Sequence, residues 1–304
     1  MTNEVIQVRE IVRPGVAASC FSLLLLATAL VCGAAIGGIA LYALMNDGSA
    51  LESGPCVAVI DIVGEIMDTR TVLADLADAT DDPDTKAIVL RIDSPGGDIT
   101  VCEEIFRELR REGDKGLPIV ASMGSTCASG GYYLALAANE IYANETSLTG
   151  SIGVLMDFMS APELLQKLGV RYETIRSGEF KAAGGMAEVM TEAQRAQFQE
   201  IINECHRHFV TLVAARRSMT PEQASSLADG REFLGLRAKE LGLIDRIGGE
   251  QDAIDRAAQL GGIAGEPRVR WIEPVEDFTL LDWLGGQMSG RGVKRHTGPV
   301  YFSR

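Results

Sequence analysis

Two uninterrupted apolar runs limit this chain more than any other feature. Cys56-Val-Ala-Val-Ile-Asp-Ile-Val63 and Lys86-Ala-Ile-Val-Leu-Arg-Ile-Asp93 are of strand length and rich in β-branched residues. A strand that is apolar on both sides has to be covered on both faces, as it is inside a parallel sheet. Between them, Thr71 to Ala79 repeats Leu and Ala at helical spacing until Asp81-Asp82-Pro83-Asp84 breaks the pattern. Strand, helix, strand implies a parallel βαβ unit, because parallel neighbours need a crossover. An amphipathic helix from Ile99 to Arg111, a strand from Pro118 to Met123 and a small-residue helix from Ser129 to Ala138 continue the alternation. The expected class is α/β with crossover helices.

Further along, the expectations are a strand Glu140 to Ala143, a Gly-rich stretch around Thr149-Gly150-Ser151-Ile152-Gly153 and a strand Arg171 to Ile175. Ser177 to Gly185 has no period and reads as a loop. Thr191 to Arg217 predicts a long helix capped by its threonine, with shorter helices at Pro221 to Leu227 and Gly249 to Gln259. A chain of 304 residues, 46% hydrophobic, suffices for one sizeable core and a small appendage. The core domain is expected over 56–275, after a linker at 46–55 and before a basic tail at 276–304 that carries Arg291, Lys294, Arg295 and Arg304.

The N-terminal stretch bears on compartment. Val16 to Met45 is a run of about 30 residues without a charge, against the roughly 20 that a spanning helix needs. It predicts one transmembrane helix over 16–45; a cleavable signal peptide is the rival, with a normally shorter apolar region. Arg9 and Arg13 precede the run and no Lys or Arg follows before Arg70. The positive-inside bias then puts residues 1–15 in the cytoplasm and the large domain outside.

Net charge of −14, from 28 basic and 42 acidic residues, argues against a nucleic-acid partner. Six cysteines form no Cys-x-x-Cys pair, so neither a zinc site nor a disulfide framework is indicated. The absence of Gly-x-x-x-x-Gly-Lys-Ser/Thr and Gly-x-Gly-x-x-Gly disfavours nucleotides, and no cofactor is expected.

Two strand-to-helix corners are rich in glycine, Ser94-Pro95-Gly96-Gly97 and Ser129-Gly130-Gly131. Such corners aim backbone N–H groups at an anion or an oxyanion, or simply turn tightly. Two of them at the ends of consecutive parallel strands favour a shared site. Cys127-Ala-Ser129-Gly-Gly131 lacks the first glycine of the Gly-x-Ser-x-Gly elbow, and His206, His208 and His296 are poorly placed for a triad or a metal pair and read as incidental. A serine nucleophile without histidine needs another base, and a neutral lysine serves. Of six lysines only Lys181 lies among small and apolar residues in a Gly-flanked loop, where desolvation would favour the neutral amine; a plain surface lysine is the alternative.

Asp84-Thr-Lys-Ala-Ile-Val-Leu-Arg-Ile-Asp-Ser-Pro-Gly-Gly97, Cys127-Ala-Ser-Gly-Gly-Tyr-Tyr133, Leu148-Thr-Gly-Ser-Ile-Gly-Val154, Ser177-Gly-Glu-Phe-Lys181 and Ala228-Asp-Gly-Arg231 follow one another in this order. Together they resemble the signatures of the bacterial signal peptide peptidase A family, in its short, single-repeat form. The resemblance spans Val57 to Gly249 and implies a Clp protease/crotonase-like fold. It implies Ser129 as nucleophile, Lys181 as general base and Ser151 as the group that orients the lysine. The N–H of Gly130 and that of Gly96 or Gly97 would form the oxyanion hole. It further implies apolar peptide substrates such as cleaved signal peptides, and a head-to-tail homo-oligomeric ring with sites shared between subunits. Cys127 and Asp93 depart from the common pattern, and Asp93 is expected to bear on substrate binding. A crotonase-like acyl-CoA enzyme and a non-catalytic membrane scaffold of the same fold are the alternatives.

Overall fold

The computed structural model describes residues 27–34, 36–38, 41 and 54–272. The tail at 276–304 and most of Val16 to Met45 lie outside the described residues. Among those described, no helix is long and apolar enough to cross a membrane. Met1–Gly54 and Pro55–Arg304 are separate units. In the first, 27–34 and 36–38 are helical.

The second unit is a mostly parallel α/β structure. Its first half is β1 (Cys56–Val63), α1 (Arg70–Asp81), β2 (Thr85–Ser94), α2 (Ile99–Asp114), β3 (Ile119–Ala128) and α3 (Gly130–Ala135). Then come β4 (Glu140–Ala143), β5 (Leu148–Gly150), α4 (Pro162–Lys167), α5 (Glu192–Arg217) and α6 (Pro221–Ser226). It ends with β6 (Glu232–Leu234), α7 (Gly235–Glu240), β7 (Arg246–Ile247), α8 (Glu250–Leu260) and β8 (Arg268–Ile272). The strand order is β6-β5-β3-β2-β1-β8, with β4 beside β3 and β7 beside β4. Among the described residues only the β5–β6 pair is antiparallel.

The apolar runs are covered on both faces, as their composition requires. Ala58, Ile60, Ile62, Ile88, Leu90 and Ile92 face one core, shared with α1, α2, α3 and the second half of α5. Val57, Val59, Ala87 and Val89 face the other, under Ala253, Ile254, Ala257 and Ala258 of α8. Each fully buried Ile or Leu contributes about 1.5–3 kcal/mol relative to exposure, and Ile60, Ile88, Leu90, Ile92 and Ile119 of the β1–β2–β3 centre are fully buried.

Strand β3 runs five residues past the expected Met123, and this extension aims the site. Its start pairs with β4 and its end, Thr126 to Ala128, with β5. Between these the register against β2 shifts, so that Ile92 opposes Met123 but Ser94 opposes Cys127. Asp93 stabilises this bulge: its Oδ1 accepts a hydrogen bond from the Thr126 N–H at 3.0 Å. One oxygen of the carboxylate expected to bear on substrate binding thus also serves strand geometry.

Helix α5 begins with a capping box in which Thr191 and Gln194 satisfy each other's backbone N–H groups, at 3.2 and 3.1 Å. After Gln194 its buried residues are confined to Phe209, Val210, Val213 and Ala214. The expected strand at Arg171 to Ile175 is absent; those residues are irregular and largely exposed. They have β-type side chains but no neighbouring strand, and a strand exists only by its ladder.

Candidate active site

Ser129 occupies the corner between β3 and α3 with φ 49° and ψ −117°. A non-glycine residue there costs on the order of 1–3 kcal/mol and persists only where its surroundings impose it. Its own N–H donates to the Gly150 carbonyl at 2.8 Å, and its carbonyl accepts from the Tyr133 N–H at 2.9 Å. The following helix is locked into the core by Tyr132, whose hydroxyl donates to the Leu243 carbonyl at 2.9 Å.

The Ser94–Gly97 corner packs directly against it. Gly96 has φ 120°, and a Cβ placed on it would lie 2.8 Å from the Gly130 nitrogen and 3.2 Å from Ser129 Oγ. Only glycine allows this approach. The two candidate donors of this corner are not equivalent. Gly96 N–H donates to Ser94 Oγ at 3.1 Å, whereas Gly97 N–H has no acceptor among the described residues. Gly130 N–H, the first orphan donor of α3, has none either. The Gly97 nitrogen is 3.0 Å from where a Cβ on Gly130 would stand, so these two uncommitted N–H groups are neighbours beside Ser129.

Ser129, Gly97, Gly130 and Ser151 line one cleft of about 720 Å³. Ser151 shares the positive φ of Ser129, 49°, and its N–H donates to the Arg231 carbonyl at 2.9 Å. Ile99, Tyr133, Phe209 and Leu155 make much of the wall apolar, and no Lys or Arg lines it. Burial, then the Asp98 carboxylate, pushes the Cys102 thiol up to about 12, and burial, then Glu103, pushes the Tyr133 phenol up to about 12. Both stay neutral at ordinary pH. No group of three or more His, Cys, Asp and Glu side chains gathers into a metal-binding cluster among the described residues.

Lys181 is not brought to this cleft. It is exposed, in a turn whose backbone closes by Lys181 N–H donating to the Gly178 carbonyl at 3.1 Å, and it is not among the lining residues. The desolvation expected of its Gly-flanked loop is therefore not provided by the described residues. Two of the histidines dismissed from the sequence, His206 and His208, are better used than expected, and His296 lies outside the described residues. His206 lines the cleft and its Nε2 is 2.7 Å from the Ala228 carbonyl; His208 Nε2 is 3.1 Å from the Tyr133 hydroxyl. No sequence motif marks either contact, since the partners lie 22 and 75 residues away.

Residues 111–264, half the chain, match the model of Peptidase family S49. Protease 4 of Salmonella typhi is 36% identical over 250 residues, which are 79% of this chain and 40% of that protein. The SppA signal peptide peptidase assigned in Enterococcus faecium is 32% identical over 235 residues, 77% of this chain and 68% of the relative. The chloroplastic serine protease SPPA of Arabidopsis thaliana is 36% identical over 203 residues, 66% of this chain and 30% of the relative. These matches define a serine protease. Within that class, the chain belongs to peptidase family S49, the signal peptide peptidase A family.

Proposed function

We propose that this protein is a membrane-anchored serine endopeptidase in which Ser129 is the nucleophile and Lys181 of a neighbouring subunit the general base. The observation that carries the reading is the strained Ser129 corner with the free N–H groups of Gly97 and Gly130 beside its hydroxyl. Ser129 Oγ attacks the scissile carbonyl, Lys181 takes its proton and hands it to the leaving amine, and water then resolves the acyl-enzyme. Gly97 and Gly130 hold the developing oxyanion, a role in which one donor is typically worth about 10²–10³ in rate. Ser151, at the end of the adjacent strand β5, orients the lysine amine.

The exposure of Lys181 supports supply from a second copy, because a neutral amine needs the desolvation that a covering surface gives. Leu155, Met159 and Ile175, exposed on the same stretch, support an interface there. A head-to-tail contact of this kind closes into a ring. The apolar cleft wall and the names of the relatives support apolar peptides, such as cleaved signal peptides, as substrates. The Val16 to Met45 run with Arg9 and Arg13 before it supports a single anchor with the catalytic domain outside.

A membrane-impermeant fluorophosphonate tests site and orientation together. It should label intact spheroplasts carrying the wild-type chain and leave Ser129→Ala blank. Labelling only after lysis would remove the orientation, and equal labelling of Ser129→Ala would remove the nucleophile.

A further inference from the structure

We infer that His206 is a positioning residue for this reaction: it holds the loop 228–231 on which Ser151 hangs. The inference rests on the Ser129/Lys181 reading and assigns it a further residue. His206 Nε2 is 2.7 Å from the Ala228 carbonyl. The acceptor is a carbonyl, so the nitrogen donates, and a neutral ring carries its proton on Nε2. Ala228, buried in the main core, opens the loop Ala228-Asp-Gly-Arg231.

The far end of that loop carries the Ser151 segment. Ser151 N–H donates to the Arg231 carbonyl at 2.9 Å, and Gly230 N–H donates to the Ile152 carbonyl at 3.2 Å. Gly150 pairs with Glu232 across the short β5–β6 ladder. Ser151 keeps φ 49° within this frame, a backbone conformation that depends on its surroundings. The ion pair of Asp229 with Arg231 is internal to the loop and exposed, so it does not tie the loop to α5. His206 does, through one side-chain hydrogen bond, and it lines the same cleft as Ala228, Gly230, Ser151 and Ser129. Removing that donor leaves the Ala228 carbonyl without this partner and frees the loop to shift. In positioned catalytic groups a displacement of about 1 Å costs up to about 10²-fold, which Ser151 would pass on to the lysine it orients.

The test is steady-state kinetics on the full-length, membrane-extracted protein with an apolar peptide substrate. His206→Ala should lower kcat about tenfold and leave KM within about twofold. His206→Gln, whose amide reaches a similar distance, should recover most of the loss. Adding His206→Ala to Ser151→Ala should cost nothing further, since both act through one hydroxyl. Unchanged kcat, a loss confined to KM, or losses that multiply would each overturn the assignment. Should His206→Ala not fold, His206→Asn, too short to reach, decides against His206→Gln: lower kcat for Asn supports the tether and equal activity overturns it. Ser129→Ala is run beside them. Full activity there would remove the nucleophile and this inference with it, whereas an inactive Ser129→Ala beside an unaffected His206→Ala removes the tether alone.

Discussion

Around Ser129 the large side chains are enclosed: Met123, Tyr132, Tyr133 and Leu134 are essentially inaccessible to solvent. Around Lys181 they stand in the open, with Tyr172 at 69%, Ile175 at 96% and Phe180 at 49% exposure. The first region is fixed by parallel strands and a buried helix. The second, 153–190, contains only the six-residue α4 and turns. The contrast teaches that folding one chain finishes the Ser129 corner, its strained backbone and the N–H groups beside it, and leaves the stretch carrying Lys181 uncovered by the described residues. A free energy of about 25 cal/mol per Å² of apolar surface is still to be gained there by contact with another surface.

The largest expected effect comes from separating the two regions onto different chains. Ser129→Ala and Lys181→Ala should each abolish peptidase activity when expressed alone. Co-expressed, with verified mixed oligomers, they should regain about a quarter of wild-type activity, because random mixing joins an intact serine to an intact lysine at that fraction of head-to-tail interfaces. Complete inactivity of the mixture would place both halves of the site within one chain.

A smaller effect compares one glycine from each region. Gly96→Ala puts a methyl group against Gly130 N and Ser129 at φ 120°, so kcat should fall about 10²–10³-fold through the blocked donor and stability by about 1–3 kcal/mol. Gly178, three residues before Lys181, has nothing within 4 Å of its would-be Cβ and no positive φ, and Gly178→Ala should leave urea midpoints unchanged or slightly raised. Equal destabilisation by the two would erase the contrast.

The smallest effect is in alkaline stability. Burial raises the thiols of Cys102 and Cys127 and the phenols of Tyr132 and Tyr133, all in the Ser129 half. These groups bind their protons more tightly folded than unfolded, so they leave stability unchanged below the thiol value of 9.0 in the unfolded chain. Above it the unfolded chain ionises first and stability falls with pH. Urea titrations between about pH 7 and 10 should show the loss, and Cys102→Ala with Cys127→Ala should reduce its slope. A flat profile would mean that the corner is open to solvent.

Local pattern made much of this legible. Cys56–Val63 and Lys86–Asp93 announce buried strands because apolar residues on both faces have no other stable place, and Thr191 announces the start of α5 because a capping side chain acts within the first turn of its own helix. Arg171 to Ile175 shows the limit of the same reasoning. Its composition favours a strand, yet among the described residues no partner strand lies beside it, and β8, which completes the edge next to β1, comes about 200 residues after its neighbour. His206 failed to stand out for a similar reason, since a lone histidine on a helix has no period that names its acceptor.

The sequence by itself determined the α/β class, the glycine corners and the serine that stands at one of them, because periodicity, turn chemistry and steric freedom act over a few residues. Only the tertiary structure decided which glycine offers its N–H. Gly96 and Gly97 are adjacent and chemically identical, but Ser94 folds back on Gly96 and leaves Gly97 facing Gly130. Tertiary structure likewise tied Asp93 to the Thr126 N–H, and placed Ser151 in the Ser129 cleft and Lys181 outside it. Such choices depend on distances between segments far apart in the chain, and those distances are set by packing and hydrogen bonding that no local pattern contains.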